Sequence, residues 1–229
     1  MMQSVDGEHF TERTRLRRFP ENGSHSREDL TAVLDAAFYG HLAVQVDSGS
    51  PFVVPTIFGY VDNLLYVHGS VASQSLRQGA KGVEVTFVVT VVDAFVLARS
   101  VFEHSLNYRS AVIYSLAEEV SDQAEKEVAL RAISDHAVPG QWGYARTPNE
   151  MELRKTRVLR LTLDEFSVKV SDGPPGDSDS DDADLDVWAG IIPIRSVADA
   201  PVPDPALRSG IELPLRLEQM APPGSSKIR

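Results

Sequence analysis

Cysteine is absent from all 229 residues. The chain can therefore form no disulfide, no thiolate metal site and no cysteine nucleophile, and nothing in it points to an oxidising compartment. It also lacks any run of about 18 apolar residues, the length a membrane-spanning helix needs. Its start, MMQSVDGEHFTERTRLRRFP, has no apolar core of signal-peptide type. The expectation is a soluble, cytoplasmic protein with no membrane partner. Positive charge is in deficit: 22 Lys and Arg stand against 33 Asp and Glu, a formal net charge of −11. Such a surface repels phosphate, which argues against non-specific nucleic-acid or anionic-membrane binding and leaves any bound phosphate to a local cluster. Three catalytic signatures are missing as well. There is no G-x-S-x-G elbow to expose a serine, no G-x-G-x-x-G dinucleotide turn, and no His pair at helical spacing with an intervening glutamate among His41, His68, His104 and His136. The acidic run alternates aspartates at Asp177, Asp179 and Asp181 but lacks the sixth-position glycine and twelfth-position glutamate of a calcium loop, so no metal is expected.

What is present reads as one domain, since 42% hydrophobic residues in a chain of this length can bury a substantial core. Residues 1–25 are polar and mix charge signs, with Arg13, Arg15, Arg17 and Arg18 close together, and read as an arm that packs late or poorly. Ser26 is placed to cap a helix over Arg27–Tyr39, with Glu28 and Asp29 in its first turn and Leu30, Val33, Leu34, Ala37 and Phe38 at helical spacing. Strand periodicity follows at His41–Val46, Phe52–Tyr60 and Leu64–His68, then at Val83–Val92 and Ala94–Val101 with Asp93 as their turn, and at Asn107–Leu116. Ser121 and Asp122 open a second helix that ends before Pro139-Gly140. Thr147-Pro148-Asn149-Glu150 has the form of a capping box with proline at the first helical position. Arg157–Val170 and Val187–Ile194 are strand-like. The segment 171–186 is too acidic and too poor in apolar residues to order itself and reads as a solvated surface loop, and 196–229 is a tail rich in proline and polar residues. Closely spaced strands with flanking helices predict a mainly β, α+β domain over 26–195, a barrel or sandwich.

Two polar groups stand out on this β framework. His68-Gly69-Ser70 with Ser73, Gln74 and Ser75 runs from a strand through a small-residue turn into a short helix ending near Gly79, where free backbone N–H groups converge and an anion can sit. Asn107-Tyr108-Arg109-Ser110 lies within VVDAFVLARSVFEHSLNYRSAVIY, where guanidinium, hydroxyl and amide groups between apolar runs need partners to offset their desolvation. On periodicity alone these residues serve equally well as strand terminators bonded to backbone carbonyls or as a ligand's seat.

Together, VPTIFGYVDNLLYVHGS, LARS followed by H-S-x-N-Y-R-S, and the later W-A-G-I-I-P resemble the flavin-nucleotide-binding, nitroimidazole-resistance-like branch of the pyridoxamine 5′-phosphate oxidase-like superfamily. The resemblance spans about Ser26 to Ile194. It implies an antiparallel split β-barrel, a homodimer with FMN at the subunit interface, and oxidoreductase activity on a small molecule. Carried over by position, it puts Val54, Pro55 and Thr56 beside the flavin ring, and His68, Gly69, Ser70, Ser73, Gln74 and Ser75 at the flavin phosphate. Asn107, Tyr108, Arg109 and Ser110 fall on the adjacent cofactor-facing strand, and Trp188 closes the pocket from the partner. Arg109 is the foremost phosphate ligand by this reading, because a guanidinium binds phosphate bidentately and stays charged. His68 is the one candidate for a catalytic proton donor. Ser73-Gln74-Ser75 departs from relatives that carry Arg or Lys there, so the missing charge would come from Arg77, Lys81, Arg99 or Lys169. A reading from another class also stands: a non-catalytic flavin-binding or cofactor-free dimeric scaffold or sensor.

Overall fold

The structure is a computed structural model that describes residues 11–46 and 49–220. Ser26 caps α1 (Arg27–Asp35) by accepting a hydrogen bond from the Asp29 N–H. The helix stops four residues short of the predicted Tyr39, because strand pairing begins at Gly40: β2 (Gly40–Gln45) pairs antiparallel with β3 (Pro51–Thr56). The apolar run predicted as one strand to Tyr60 is two. The chain crosses between sheets at Ile57 and continues as β4 (Phe58–Val61) and β5 (Leu64–Ser70), then α2 (Gln74–Gly79).

A second correction concerns Asp93. Val83–Val92 and Ala94–Val101 form one 14-residue strand, β6 (Glu84–Leu97), and the register shift between Val92 and Ala94 is a bulge, not a turn. Strand β7 (Ser105–Leu116) pairs along it. After β8 (Glu118–Glu119), α3 (Gln123–Ala137) is capped by Asp122, and the short α4 (Gln141–Tyr144) follows. The predicted capping box exists two residues later than proposed: Asn149 and Glu152 cap each other at the start of α5 (Glu150–Lys155), leaving Pro148 ahead of the cap. Arg157–Val170 also divides, into β9 (Thr156–Thr162) and β10 (Glu165–Ser171). The predicted last strand shortens to β11 (Gly190–Pro193), which pairs with β6 beyond the bulge, and α6 (Leu215–Glu218) lies in the tail.

The strands form two antiparallel sheets that do not close into a complete barrel. One runs from the two-residue β1 (Gly23–Ser24) through β10, β7, β6 and β2 to β3, with β11 added to β6; the other is β4-β5-β9-β8. Leu42, Val44, Phe87, Val89, Ala111 and Ile113 of the first meet Phe58, Leu65, Val67, Leu159 and Leu161 of the second, and α1 contributes Leu30, Val33 and Leu34. Strand alternation sends Tyr66 and Val158 to the opposite face of the smaller sheet, where they pack with Ala129, Leu130 and Ile133 of α3. There β4 and α3 approach so closely that a Cβ on Gly59 would lie 2.4 Å from the backbone of Ala132 and Ile133.

The arm, expected to pack late or poorly, and the acidic segment, expected to stay solvated, are both anchored. In the arm, Thr14 is buried and Arg13 bridges Glu84 and Glu165. In the acidic segment, Asp177 is 1% exposed and accepts hydrogen bonds from the Arg99 backbone N–H and from its guanidinium, the latter at 3.0 Å. Its neighbours, through a short 3₁₀ turn at Asp181–Asp184, remain at the surface.

Candidate cofactor site

Where the two sheets part at β3 and β5, α2 closes one end of the gap. The result is a cavity of about 190 Å³ lined by Leu42, Val54, Pro55, Thr56, His68, Gly69, Ser70, Ser73, Ser75 and Leu76. Eight of the predicted cofactor residues thus share one wall, while Leu42 and Leu76 are the two that sequence reasoning missed. Chain geometry explains the convergence. A tight turn holds Ser73 N–H to the Ser70 carbonyl at 2.9 Å, and the Ser73 and Ser75 hydroxyls lie 3.1 Å apart. Gly69 lies against α2, where a Cβ would meet Leu76 Cδ1 at 2.9 Å and push that side chain aside.

The wall carries hydroxyls and no cation. Gln74 points to a different depression on α2, shared with Arg77, Gln78 and Lys81. Arg99 is paired with Asp177, and Lys169 donates to the Arg18 carbonyl at 3.3 Å. None of the four cations proposed to replace the missing charge lines the cavity. A cation that the sequence did not single out stands close by. Arg157 pairs in register with Gly69, and its guanidinium donates to Glu119 at 2.9 Å and to the Val71 carbonyl at 3.2 Å, which pins the turn between β5 and α2.

His68 belongs to the wall, but its register partner is Val158 and its alternation partner is Tyr66, so the imidazole shares the sheet face covered by α3, opposite to Gly69. Burial pushes its pKa below the usual histidine range, and Nδ1 is buried without a hydrogen-bond partner among the described residues.

The second predicted group divides over two faces of β7. Asn107 is buried and donates to the Gly173 carbonyl at 2.9 Å. Arg109 makes a bidentate pair with Asp93 at 2.9 and 2.8 Å, which holds the guanidinium pKa above its ordinary value. Both partners are about a third exposed, so the pair contributes about 1 kcal/mol or less. Tyr108 and Ser110 point to the other face, where Ser110 stands between Thr90 and Lys169. Arg109 lines a separate and larger cavity of about 460 Å³, with Ala36, Ala37, Phe38, Tyr39, Thr90 to Asp93 and Ile194 to Val197. Within one protomer, then, Arg109 and Ser73 do not meet. Trp188 is 65% exposed, lies against Gly190, and is on neither wall.

No group of three or more His, Asp or Glu among the described residues is arranged to hold a metal ion, and no described helix is long and apolar enough to cross a membrane.

The family described as pyridoxamine 5′-phosphate oxidase matches residues 26–170. The chain belongs to that family. Its two antiparallel sheets are those of the pyridoxamine 5′-phosphate oxidase fold, as the resemblance implied. The flavocytochrome Anf3 from Azotobacter vinelandii is 33% identical, with a TM-score of 0.85 over 92% of this chain and 97% of its own. The FAD and heme binding protein from Mycobacterium smegmatis is 36% identical, with a TM-score of 0.81 over 87% of this chain and 97% of its own. A 5-nitroimidazole antibiotic resistance protein from Bacteroides thetaiotaomicron shares the fold at 20% identity and a TM-score of 0.56, over 65% of this chain and 86% of its own. No curated protein matches the sequence.

Proposed function

We propose that this chain is a flavin-dependent redox protein that carries a heme as its second cofactor and works as a homodimer, with the flavin at the subunit boundary. The observation that carries the reading is the likeness, at 33 and 36% identity over nearly the whole chain, to two proteins named for a flavocytochrome and for FAD and heme binding. When bound, the flavin supplies two-electron chemistry and the heme one-electron chemistry, while the protein binds, orients and excludes water.

The residues present fit a flavin nucleotide. The hydroxyl-rich wall of Thr56, Ser70, Ser73 and Ser75, with the small Gly69, suits a phosphate and ribityl chain bound by hydroxyl and backbone donors in place of a guanidinium. The cavity is smaller than the 300–1,000 Å³ typical of whole cofactor sites. The ring system would therefore lie outside it, over the free face of the larger sheet, where Val53, Val92 and Phe95 are 54, 37 and 49% exposed. A second copy seated on that face would cover both ring and sheet, and would bring its own Arg109 or Trp188 toward the nucleotide. We assign FAD in preference to FMN because FAD is the nucleotide in the name of the 36%-identical relative.

The test is the absorption spectrum of protein purified from cells supplied with a heme precursor, followed by mass identification of the released nucleotide. Overlapping flavin and heme bands that both change on chemical reduction, with FAD released, are expected. Release of FMN would return the assignment to the nucleotide expected from sequence. Protein that stays colourless after incubation with FAD and hemin would overturn the reading in favour of a cofactor-free scaffold.

A further inference from the structure

Residues Leu97 to Ser105 join β6 to β7 outside the flavin cavity and form the tip of a long hairpin. Their polar groups are used in building it. Asp177 holds the Arg99 backbone N–H and guanidinium, the Ser100 hydroxyl accepts from the Phe102 N–H at 3.3 Å, and His104 Nε2 is bonded to the Ala98 carbonyl at 3.2 Å. Backbone bonds from the Glu103 N–H to Ser100 and from the His104 N–H to Val101 close a 3₁₀ turn at Val101–Glu103. On this fixed turn stand Val101 and Phe102, 81 and 89% exposed. A turn open to water is ordinarily polar, whereas this one directs its polar groups inward and its two large apolar side chains outward. An aromatic side chain already held in place loses little entropy on docking, which is what an interface anchor requires. The apolar surface also continues from the tip to the sheet face assigned to a second copy: Leu106 on β7 and Ile192 on β11, both opposite Phe95, are 38 and 47% exposed.

Resting on the homodimer reading above, we propose that Phe102 anchors this tip on the N-terminal arm of a second copy, at that copy's Phe19. Charge selects the occupant. Glu103 follows Phe102, and Asp179, Asp181, Asp182 and Asp184 lie on the segment that Asp177 clamps beside the tip. In a chain of net charge −11 such a surface repels anionic lipid, nucleic acid and most of the surface of its own copy. The arm is the exception. Arg17 and Arg18 are exposed, Arg18 and Lys169 flank the Phe19 ring at 5.1 and 5.7 Å, and Phe19 is itself 51% exposed. Arg17 meets Glu12 at 3.4 Å, an exposed pair that yields readily to a second carboxylate. An aromatic seat rimmed by cations thus matches an aromatic tip followed by carboxylates. Within one protomer the two do not meet. Lys169, whose ammonium donates to the Arg18 carbonyl, is aligned through Ser110 with Thr90, and Thr90 is about 23 Å along β6 from its end at Leu97. A two-fold axis brings tip and arm together twice, each copy giving one of each.

Sedimentation of the full-length protein over a concentration series, with FAD present, tests the assignment. Phe102→Glu is expected to weaken the dimer at least about a hundredfold, the effect of losing a central aromatic anchor, while its urea midpoint stays that of wild type. Arg17→Glu combined with Arg18→Glu is expected to weaken the dimer about tenfold at low salt and little at high salt, where the charges are screened. Val128→Glu, on the exposed side of α3, should leave the dimer unchanged. A wild-type dimer whose affinity Phe102→Glu matches would overturn the tip as an anchor and leave the homodimer reading in place. Loss of the dimer with Phe102→Glu but its full retention in the arm variant at low salt would overturn the arm as the seat. Monomeric wild-type protein would defeat both the anchor and the homodimer reading.

Discussion

Ser75→Leu is expected to strip the flavin from this protein while leaving it folded. Ser75 is 3% exposed, its hydroxyl is 3.1 Å from that of Ser73, and its side chain borders a cavity of about 190 Å³. A leucine there occupies the space assigned to the phosphate and removes a hydroxyl donor. Overpacking costs roughly 1–3 kcal/mol, within the 5–15 kcal/mol by which domains are ordinarily stable. The loss falls instead on binding, at least about a hundredfold in affinity, or close to 3 kcal/mol. Gln74→Ala is the control, because Gln74 belongs to the depression on the other side of α2 and should leave the affinity unchanged. Fluorescence titration with FAD measures both. Equal affinities for Ser75→Leu and wild type would mean that the nucleotide does not use this cavity.

Asp177→Ala carries the largest expected effect on stability. The carboxylate is 1% exposed and serves both the backbone N–H and the guanidinium of Arg99, itself about a quarter exposed. Removing it leaves a largely desolvated cation and an unpaired N–H, for which roughly 3 kcal/mol is the expected loss. Urea denaturation should show the midpoint falling with little change in slope. Because Asp177 fixes the path from β10 to β11, hydrogen exchange should also quicken at Ile191 and Ile192, which lie on β11 opposite Val96 and Phe95. Asp179→Ala, on the exposed part of the same segment, should change stability by less than about 0.5 kcal/mol. Equal effects of the two substitutions would mean that the Arg99 pair contributes no more than a surface charge.

These two residues also mark where the sequence was readable and where it was not. The segment from Val54 to Ser75 was legible because the contacts that gather it are local: β5, a four-residue turn and α2 follow one another, and β3 enters just before them. The Ser26 cap and the α1 spacing were equally local. Asp93 was misread because a lone polar residue in a β-branched run marks a turn as well as it marks a bulge, and only the partner strand decides between them. The same ignorance of partners hid the fate of Arg109, whose carboxylate comes from the bulge on the neighbouring strand. Asp177 was invisible for a different reason. Composition averages over 171–186, and one buried carboxylate with a partner 78 residues away leaves no trace in that average. The side-chain direction of His68 needed the register with β9, which no local pattern contains.

The proposed flavin seat requires two copies of the chain, since neither Arg109 nor Trp188 reaches the cavity within one protomer. Native mass spectrometry of the full-length protein after saturation with FAD measures this directly. Two chains carrying two flavin nucleotides, with Ser75→Leu giving a dimer that carries none, is the predicted spectrum. A monomer that retains a full complement of flavin would contradict it.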